Sequence, residues 1–339
     1  MSTPPATTQK KSGADVALDV ALRPQQWDEF IGQERVKKNL RILIDAARQR
    51  KEPMEHVLFA GPAGLGKTSM AHLVAREMQS SIRITSGPAI ERIGDLASLL
   101  TNLLPGDILF IDEVHRLNKL IEEVLYPAME SRTLDIIIGK GPSARTIQLE
   151  LPPFTLIAAT TRPGLLSSPL RSRFGSTFRL EFYSPEEIGR ILARSAGVLK
   201  TPLDANAASV LAQSSRATPR VANRLLKRCR DYTQVHGSGT VTHDIVQKTL
   251  GLLEIDELGL EPMDRAIMRI IAEKFNGGPV GLQALAAASS EEEDAITDIY
   301  EPYLMQLGFI ERTPRGRMVT ERAYQHLGIA IRKQPSLLG

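Results

Sequence analysis

The sequence predicts an α/β fold in which three units follow one another. These are a phosphate-loop domain with a parallel sheet, a small all-helical domain and a C-terminal winged-helix domain. The stretch 61–68 fits the Gly-rich pattern of a phosphate-binding loop, and strand and helix patterns alternate around it up to about residue 182. Only helical patterns follow to about residue 254. From residue 255, three helical stretches lead into two short strands.

The composition is that of a soluble globular protein. The chain has 339 residues, of which 42% are apolar and 24% charged, and its net charge of +3 indicates no particular partner. The single cysteine, Cys229, excludes an internal disulfide, suits a reducing compartment and is expected to be a half-buried structural thiol. The sequence has no secretory apolar region and no apolar run of membrane-spanning length. We therefore predict a soluble, cytoplasmic, prokaryotic protein without membrane contact.

The chain divides into four segments. Residues 1–19 are rich in Ser, Thr, Pro, Ala and Lys without periodicity, which predicts a disordered tail. The phosphate-loop domain then spans 20–182 and includes an early helix at 34–50. The small helical domain spans 183–254, and the winged-helix domain spans 255–339.

The phosphate-binding loop lies between a buried strand at 56–60 and a helix at 69–78. Its glycines let backbone N–H groups close around phosphate oxygens at the start of that helix. Lys67 would reach the β- and γ-phosphates, and the Thr68 hydroxyl would ligate Mg²⁺. The alternative is a chance match in a Gly-rich loop, which the flanking strand and helix argue against.

Two further buried strands end in polar residues. The run 107–113 ends in two acids, of which Asp112 suits Mg²⁺ coordination and Glu113 suits activation of the attacking water. The alternative is a buried strand that ends in a solvated acidic turn. The strand at 154–162 places Thr161 where it could touch the γ-phosphate or the water.

Several features of the first two domains could serve neighbours or ligands. The hairpin at about 134–149 has an Ile-rich face that either packs in the core or is presented to a partner protein. Arg171 and Arg173 on a short helical turn would be surface charges in a self-contained site, whereas in a ring one could reach a neighbour's site. Arg220, at the start of a basic helix, is well placed to meet an anion.

The winged-helix unit has an overall charge that does not favour DNA. Residues 255–339 contain 9 Lys and Arg against 13 Asp and Glu, and the third helix begins with four acids at 291–294. Positive charge is concentrated in the wing, at Arg312, Arg315 and Arg317. We therefore expect the wing to bind backbone phosphates with little readout of base sequence. The alternative is a structural winged helix that serves protein contacts.

These motifs together resemble the RuvB family of AAA+ ATPases over about residues 20–330. The resemblance rests on six strings, Leu22–Pro24, Gly64–Thr68, Ser86–Glu91, Asp112–Leu117, Tyr126–Glu130 and Arg312–Arg317. It implies a homo-hexameric ring that encircles duplex DNA, hydrolyses ATP with Mg²⁺ and drives branch migration of Holliday junctions. It also implies that the hairpin at 134–149 docks RuvA, with the resolvase RuvC as a further candidate partner.

The resemblance implies a role for each matching residue. The catalytic group would be Glu113, the sensor Thr161 and the arginine finger Arg173, which is supplied to the adjacent subunit. Thr68 and Asp112 would hold the metal. Nucleotide contacts are implied at Leu22, Arg23, Gly64, Leu65, Gly66, Lys67, Thr68, Ser69, Glu130, Ser131, Arg132, Tyr183 and Arg220. DNA contacts are implied at Arg312, Arg315 and Arg317.

A few positions depart from the family pattern. Ala63 replaces a usual proline in the loop, Ser131 and Arg132 make their turn more basic than usual, and Pro163 alters a turn. Two other functions stay open. One is a different AAA+ machine, such as a clamp or helicase loader. The other is a winged-helix DNA-binding protein that uses ATP only as an assembly switch, against which the intact Glu113 argues.

Overall fold

The structure, a computed structural model, describes residues 13–138, 145–237 and 239–330. It begins with a helix, α1 (Gly13–Ala21), where we expected a disordered tail. That prediction is wrong for residues 13–19, while residues 1–12 lie outside the described part. Tertiary contact explains the difference, because Lys227 lies 2.5 Å from Asp19 and ties α1 to the helical domain. The next helix, α2 (Glu34–Arg50), has the predicted bounds.

The strands of the first domain form a parallel sheet and a separate hairpin. In the described chain they are β1 (Val57–Ala60), β2 (Ile82–Ser86), β3 (Ile108–Asp112), β4 (Thr133–Ile138), β5 (Arg145–Glu150), β6 (Thr155–Thr160) and β7 (Ser176–Arg179). The parallel sheet has the order β2-β3-β6-β1-β7, and β4 pairs with β5. The central strands β1 and β6 are buried along their whole length, as expected of a sheet covered on both faces. This order brings the C-terminal ends of β1, β3 and β6 side by side.

Helices cover both faces of the sheet. They are α3 (Lys67–Glu77), α4 (Ile93–Thr101), α5 (Lys119–Glu130) and α6 (Ser168–Ser172). One hydrophobic cluster joins alternate strand residues such as Phe59 and Phe110 to α2, α3 and the helical domain. The other joins the opposite face, including Leu58 and Ile111, to α4 and α5. The large and small domains therefore share a core on one side of the sheet.

The β4–β5 hairpin changes from buried to exposed along its length. Leu134, near its base, is buried, and Ile136 and Leu149 pack against the core. Further out, Ile147 is paired with Ile136 yet is 44% exposed. The base of the hairpin is thus core. Presentation to a partner stays a prediction, and residues 139–144 lie outside the described part.

The second domain is all-helical, as predicted. Its helices are α7 (Pro185–Val198), α8 (Ala205–Gln213), α9 (Pro219–His236) and α10 (His243–Leu252). Ser184 and Glu187 form a reciprocal cap at the start of α7, with hydrogen bonds of 3.2 and 2.9 Å. Cys229 in α9 is fully buried, more than the half-burial expected, and burial raises the pKa of its thiol to about 11.

The third domain has the predicted winged-helix architecture. It contains α11 (Pro262–Arg269), α12 (Leu282–Ser289), α13 (Glu293–Ala295), α14 (Glu301–Gln306), the wing strands β8 (Ile310–Thr313) and β9 (Gly316–Val319), and α15 (Glu321–Leu327). A π-helical turn at 296–300 joins α13 to α14, and another extends α11 over 270–274. The domain has its own core, which includes Leu260, Ile271 and Phe309. No helix in the described part of the chain is long and apolar enough to cross a membrane.

Candidate active site

The phosphate loop has a conformation that its glycines permit. Gly64 and Gly66 have φ angles of +85° and +100°, in the left-handed region that favours glycine. A Cβ at Gly66 would lie 3.1 Å from the Phe30 ring, and one at Gly64 would lie 3.1 Å from the Arg220 Cβ. The loop is therefore enclosed from two sides and leads directly into α3. Its backbone N–H groups at the helix start are suited to an anion.

The ammonium of Lys67 is buried and bound by the loop itself. Its Nζ donates to the Gly61 carbonyl at 2.7 Å and to the Pro62 carbonyl at 2.9 Å. Burial lowers the pKa of Lys67, and the Coulomb attraction of Glu113 and Asp112 opposes that shift. Phosphate oxygens carry more negative charge than carbonyls, so a triphosphate would bind this ammonium more strongly than the loop does.

Thr68 and Asp112 come together beneath the loop. Thr68 Oγ1 lies 3.5 Å from Asp112 Oδ2, while Asp112 Oδ1 accepts a hydrogen bond from the Glu113 N–H at 3.0 Å. Within the described ranges, no group of three or more His, Cys, Asp or Glu side chains could hold a metal ion. Mg²⁺ is commonly held by one or two carboxylates together with substrate phosphates. The hydroxyl and carboxylate therefore fit Mg²⁺ beside a bound triphosphate.

Glu113 is held in an unusual backbone conformation by its neighbours. Its φ angle is +49°, which is uncommon for a residue other than glycine. The Thr161 hydroxyl donates to Glu113 Oε2 at 3.0 Å, and His115 Nδ1 lies 3.3 Å from the same oxygen. Strained positions of this kind cluster at active sites. Thr161 thus touches the predicted general base itself.

His115 belongs to this group, although sequence reasoning gave it no role. Its Nδ1 lies 2.9 Å from Thr160 Oγ1, and its side chain is almost fully buried. Burial lowers the pKa of His115, while Glu113 and Asp298 raise it. The ring therefore favours its neutral form. A lone histidine two residues after an acidic pair carries no spacing signal, so only the fold reveals this contact.

A cavity of about 610 Å³ lies between the phosphate loop and the helical domain, a size suited to a small-molecule ligand. It brings together most of the predicted nucleotide and metal residues, namely Leu22, Arg23, Gly64, Gly66, Lys67, Thr68, Ser69, Asp112, Glu113, Tyr183 and Arg220. Asn223, Arg224 and Lys227 of α9 also line it, although sequence reasoning gave none of them a role. The helical spacing of Arg224 and Lys227 from Arg220 was the signal that could have identified these two basic residues.

Tyr183 and Leu22 line the cavity, and Tyr183 lies against the phosphate loop. Tyr183 Oη donates to the Leu65 carbonyl at 3.0 Å, and the Tyr183 N–H donates to the Ala217 carbonyl at 3.0 Å. Burial raises the pKa of the Tyr183 hydroxyl, which therefore remains a donor. The buried Leu22 offers its carbonyl to Arg194. Leu65 is fully buried under the loop, so it can contact a nucleotide only through its backbone.

Arg173 and the turn at 130–132 lie away from this cavity. Arg173 follows α6, lies 3.1 Å from Glu130 and stacks over the Tyr126 ring at 4.6 Å. Ser131 and Arg132 are exposed next to Glu130. Among the described residues that line the nucleotide cavity, none comes from this surface. A nucleotide contact from it would have to be made to another subunit.

Two wing arginines pair with a buried glutamate, and one of these two, Arg312, is still 47% exposed. Arg312 and Arg317 both form ion pairs with Glu301 of α14, whose side chain is 1% exposed. The Arg317 side chain is 12% exposed, whereas Arg315 is exposed in the turn between β8 and β9. DNA contact by these arginines stays a prediction. Arg317 can reach a phosphate only by loosening its pair with Glu301, a residue to which sequence reasoning gave no role.

Comparisons with known proteins cover the three domains in turn. The family model described as the Holliday junction DNA helicase RuvB P-loop domain matches residues 22–180. The models for the RuvB AAA lid domain and the RuvB C-terminal winged helix domain match residues 183–256 and 257–328.

Individual relatives are similar over nearly the whole chain. The Holliday junction branch migration complex subunit RuvB of Dehalococcoides mccartyi (strain CBDB1) is 60% identical over 315 residues, which are 93% of this chain and 90% of that protein. The solved structure of the Thermotoga maritima RuvB Holliday junction branch migration motor is 50% identical, with a TM-score of 0.85 over 92% of this chain and 100% of its own. A mutant of the Thermotoga protein gives a TM-score of 0.86 over 92% of this chain and 99% of its own, also at 50% identity. With its three domain matches and these relatives, the chain belongs to the RuvB family.

Proposed function

We propose that this protein is an ATP-driven motor that moves Holliday junctions along duplex DNA in homologous recombination and repair. One observation carries the proposal. In a chain of the RuvB family, the buried Lys67, the Thr68–Asp112 pair and the Thr161-bound Glu113 meet at one edge of one parallel sheet. This is the set of groups that ATP hydrolysis requires.

Different residues of one chain bind ATP and assist its hydrolysis. Lys67 exchanges its loop carbonyls for the β- and γ-phosphates. Thr68 and Asp112 would hold Mg²⁺, which would supply neutralising charge for the phosphates. Glu113 accepts the proton of the attacking water, and Thr161 orients its carboxylate.

The remaining contacts in the cavity bind and sense the nucleotide. The loop residues Gly64, Leu65 and Gly66 offer backbone groups to the phosphates, and Ser69 lies beside them. Leu22, Arg23 and Tyr183 border the base and the sugar. Arg220 approaches from the helical domain, where it lies against Gly64 and can respond to the γ-phosphate.

The surface formed by Arg173 and Glu130 supports a ring in which each site is completed by a neighbour. Because this ion pair lies away from the cavity of its own chain, we propose that Arg173 acts in trans as the arginine finger of a hexamer. The exposed Ser131 and Arg132 lie on the same surface. We propose that the nucleotide contacts at 130–132 are likewise made to the adjacent subunit.

The partners follow from the family and the exposed surfaces. We propose that the β4–β5 hairpin binds RuvA through its exposed end, where Ile147 is 44% exposed, and that RuvC acts on the same junctions. The wing arginines Arg312, Arg315 and Arg317 would follow the DNA backbone. A protein acting on chromosomal junctions in a prokaryote would work in the cytoplasm.

The proposal is tested by ATP-driven branch migration of a synthetic four-way junction, with and without RuvA. Wild-type protein with RuvA should move the junction, and the Arg173→Ala variant should not. Arg171→Ala, which removes an exposed arginine from the same short helix, is the matched control and should retain movement. If the wild-type protein hydrolyses ATP with DNA but moves no junction, a clamp or helicase loader becomes the better description.

A further inference from the structure

Arg162 joins the ATPase domain to the winged-helix domain. It follows Thr161 at the end of β6, and its guanidinium reaches α13 and the turn after it. Nε lies 2.5 Å from Asp298 Oδ1, Nη1 lies 2.8 Å from Asp294 Oδ1, and Nη2 donates to the Asp294 carbonyl at 3.2 Å. Three bonds from one planar group fix its direction as well as its distance. We call Arg162, Asp294 and Asp298 the clasp.

The backbone of Arg162 is bound to the catalytic end of the sheet. Its N–H donates to Thr160 Oγ1 at 3.0 Å, and that hydroxyl lies 2.9 Å from His115 Nδ1. His115 and Thr161 both contact the Glu113 carboxylate, at 3.3 and 3.0 Å. A displacement of Arg162 therefore shifts two of the groups that hold the general base.

The clasp is weaker than the contact between the winged-helix and helical domains. In that contact, Arg216 lies 2.5 Å from Asp264, the two side chains are 8% and 0% exposed, and Arg216 also stacks over Tyr303 at 4.9 Å. In the clasp, by contrast, the Asp294 and Asp298 side chains are 64% and 28% exposed. The Arg162 side chain is itself only 19% exposed, so the clasp is partly buried. An ion pair that solvent reaches still costs less to open than a fully buried pair. The winged-helix domain is thus fixed to the helical domain and free to shift at the clasp.

Loose packing beside the clasp leaves space for such a shift. A cavity of about 440 Å³ is lined by Gly61 and Thr161 from the ATPase domain and by Gln306 from the winged-helix domain. This cleft is half open to solvent and is therefore not part of a packed interior. The two domains can therefore change their separation here without disrupting a packed core.

We propose that Arg162 is a positioning residue that couples the winged-helix domain to Glu113, so that DNA held by the wing sets the rate of ATP hydrolysis through the clasp. This inference rests on the proposed motor function. DNA that displaces the winged-helix domain moves Asp294 and Asp298, and Arg162 carries that movement to the end of β6. Because the clasp does not line the nucleotide cavity, it acts on kcat and leaves ATP binding unchanged.

The test compares ATP hydrolysis with and without saturating junction DNA in full-length protein. The Asp294→Asn/Asp298→Asn variant removes both carboxylates of the clasp, and Arg162→Gln removes its other side. The matched control is Glu292→Gln/Glu293→Gln, which removes the same charge from exposed neighbours. Asp298→Glu keeps the charge and serves as the conservative variant. For each protein, kcat and KM are measured in both states, together with the DNA concentration needed for saturation.

We expect the ratio of kcat with DNA to kcat without DNA to fall by about fivefold or more in both clasp variants, the lower range of coupling between two sites. KM for ATP should stay unchanged, and the control and Asp298→Glu should keep the wild-type ratio. A wild-type ratio in the clasp variants overturns the proposal, as does an equal loss in the control. An equal fall of kcat with and without DNA also overturns the proposal, because such a fall would show that the ATPase site itself is damaged. If wild-type protein itself lacks DNA-stimulated hydrolysis, the failure belongs to the proposed function.

Discussion

The carboxylate of Glu113 illustrates how much of the chemistry depends on single hydrogen bonds. It receives the Thr161 hydroxyl at 3.0 Å and lies beside a nearly buried histidine. A carboxylate without these contacts would rotate freely and spend less time facing the water. Its position is therefore set by Thr161, which is distant in sequence, and by His115, which is close in sequence, at the same edge of the sheet.

The Thr161→Val substitution tests this positioning, since valine has nearly the same shape but no hydroxyl. Loss of a hydrogen bond to a charged group corresponds to about 1.5–3 kcal/mol, so kcat should fall by about 10- to 150-fold. KM for ATP should remain the same, because Thr161 does not line the nucleotide cavity. Steady-state ATP hydrolysis by the Thr161→Val variant tests this prediction. The control is Thr177→Val, on the exposed side of β7. A rise in KM at constant kcat would assign Thr161 to nucleotide binding.

At this scale the sequence predicted the residues that belong to continuous motifs. Lys67 and Thr68 follow the Gly-rich loop after one buried strand, Asp112 and Glu113 end another, and both patterns are visible in the sequence. His115 and Glu301 were missed because their partners, Thr160 and the wing arginines, lie on other elements. No spacing rule connects residues that only the tertiary fold brings together.

Among the elements, β1 and β6 are joined by a histidine as well as by their own pairing. His56 Nδ1 accepts the Leu156 N–H at 2.9 Å, so Nε2 carries the proton and donates to the Met129 carbonyl at 3.1 Å. Burial lowers the pKa of His56, as it does for His72 and His115. Protonation of His56 would replace an acceptor with a donor that faces the Leu156 N–H.

The stability of the fold should therefore decrease in mild acid. Above about pH 6.5 these histidines are neutral in the folded and in the unfolded protein, so they contribute no pH dependence. Below about pH 6.5 the unfolded chain binds protons more readily than the folded one, and the free energy of unfolding falls. Urea unfolding at about pH 7.5 and about pH 5.5 measures the loss. His56→Gln should reduce the pH dependence, and His243→Gln at an exposed site should leave it unchanged. An equal loss in all three proteins would contradict the role of His56.

The wing allows DNA binding to be separated from folding. Arg317→Ala removes one partner of the buried Glu301, which should lower the free energy of unfolding by up to about 3–5 kcal/mol. Arg315→Ala should leave stability unchanged and reduce the salt slope of DNA binding by about one unit. Urea unfolding and DNA titration at several salt concentrations test both, with Arg269→Ala on the exposed side of α11 as control. An unchanged slope for Arg315→Ala would remove that residue from the DNA contact.

The elements that were predicted and those that were missed differ in burial. Strands β1, β3 and β6 are continuous apolar runs because helices cover both of their faces, and each was identified. The edge strands β2 and β7 were not, since their half-exposed residues mix polar and apolar types without a long run. Helix α1 was missed because tertiary contacts, which its composition does not show, hold it in place.

At the scale of the whole molecule, the proposed action of Arg173 in trans would make activity a property of pairs of subunits. The Arg173→Ala variant keeps a complete loop but lacks the finger, and Lys67→Ala keeps the finger but lacks the loop lysine. Arg173→Ala alone should lose about 10³- to 10⁵-fold in turnover, the range known for arginine fingers. Lys67→Ala alone should lose both ATP binding and turnover. Mixed in equal amounts, the two should regain part of the wild-type rate. The rate of ATP hydrolysis is measured over a range of mixing ratios. A rate above the sum of the rates of the two separate variants would show action in trans, and a rate equal to that sum would exclude it.

The order of the three domains could be predicted from the chain, whereas their attachment could not. Periodicity shows where strands stop and helices continue, but it does not show that Arg216 and Asp264 bury an ion pair between the second and third domains. The two residues are 48 positions apart in the sequence. From the sequence alone, each of them would be interpreted as a surface charge.

The burial of Cys229 has a practical consequence for fluorescent labelling of this protein. Its thiol is fully enclosed and its pKa is raised to about 11, so at neutral pH almost none of it is the reactive thiolate. Maleimide dyes should therefore leave the native chain unlabelled. A cysteine introduced at an exposed position, such as Arg315→Cys in the wing, would be the one site of attachment. Fluorescence from single molecules could then follow the wing without any change to the core.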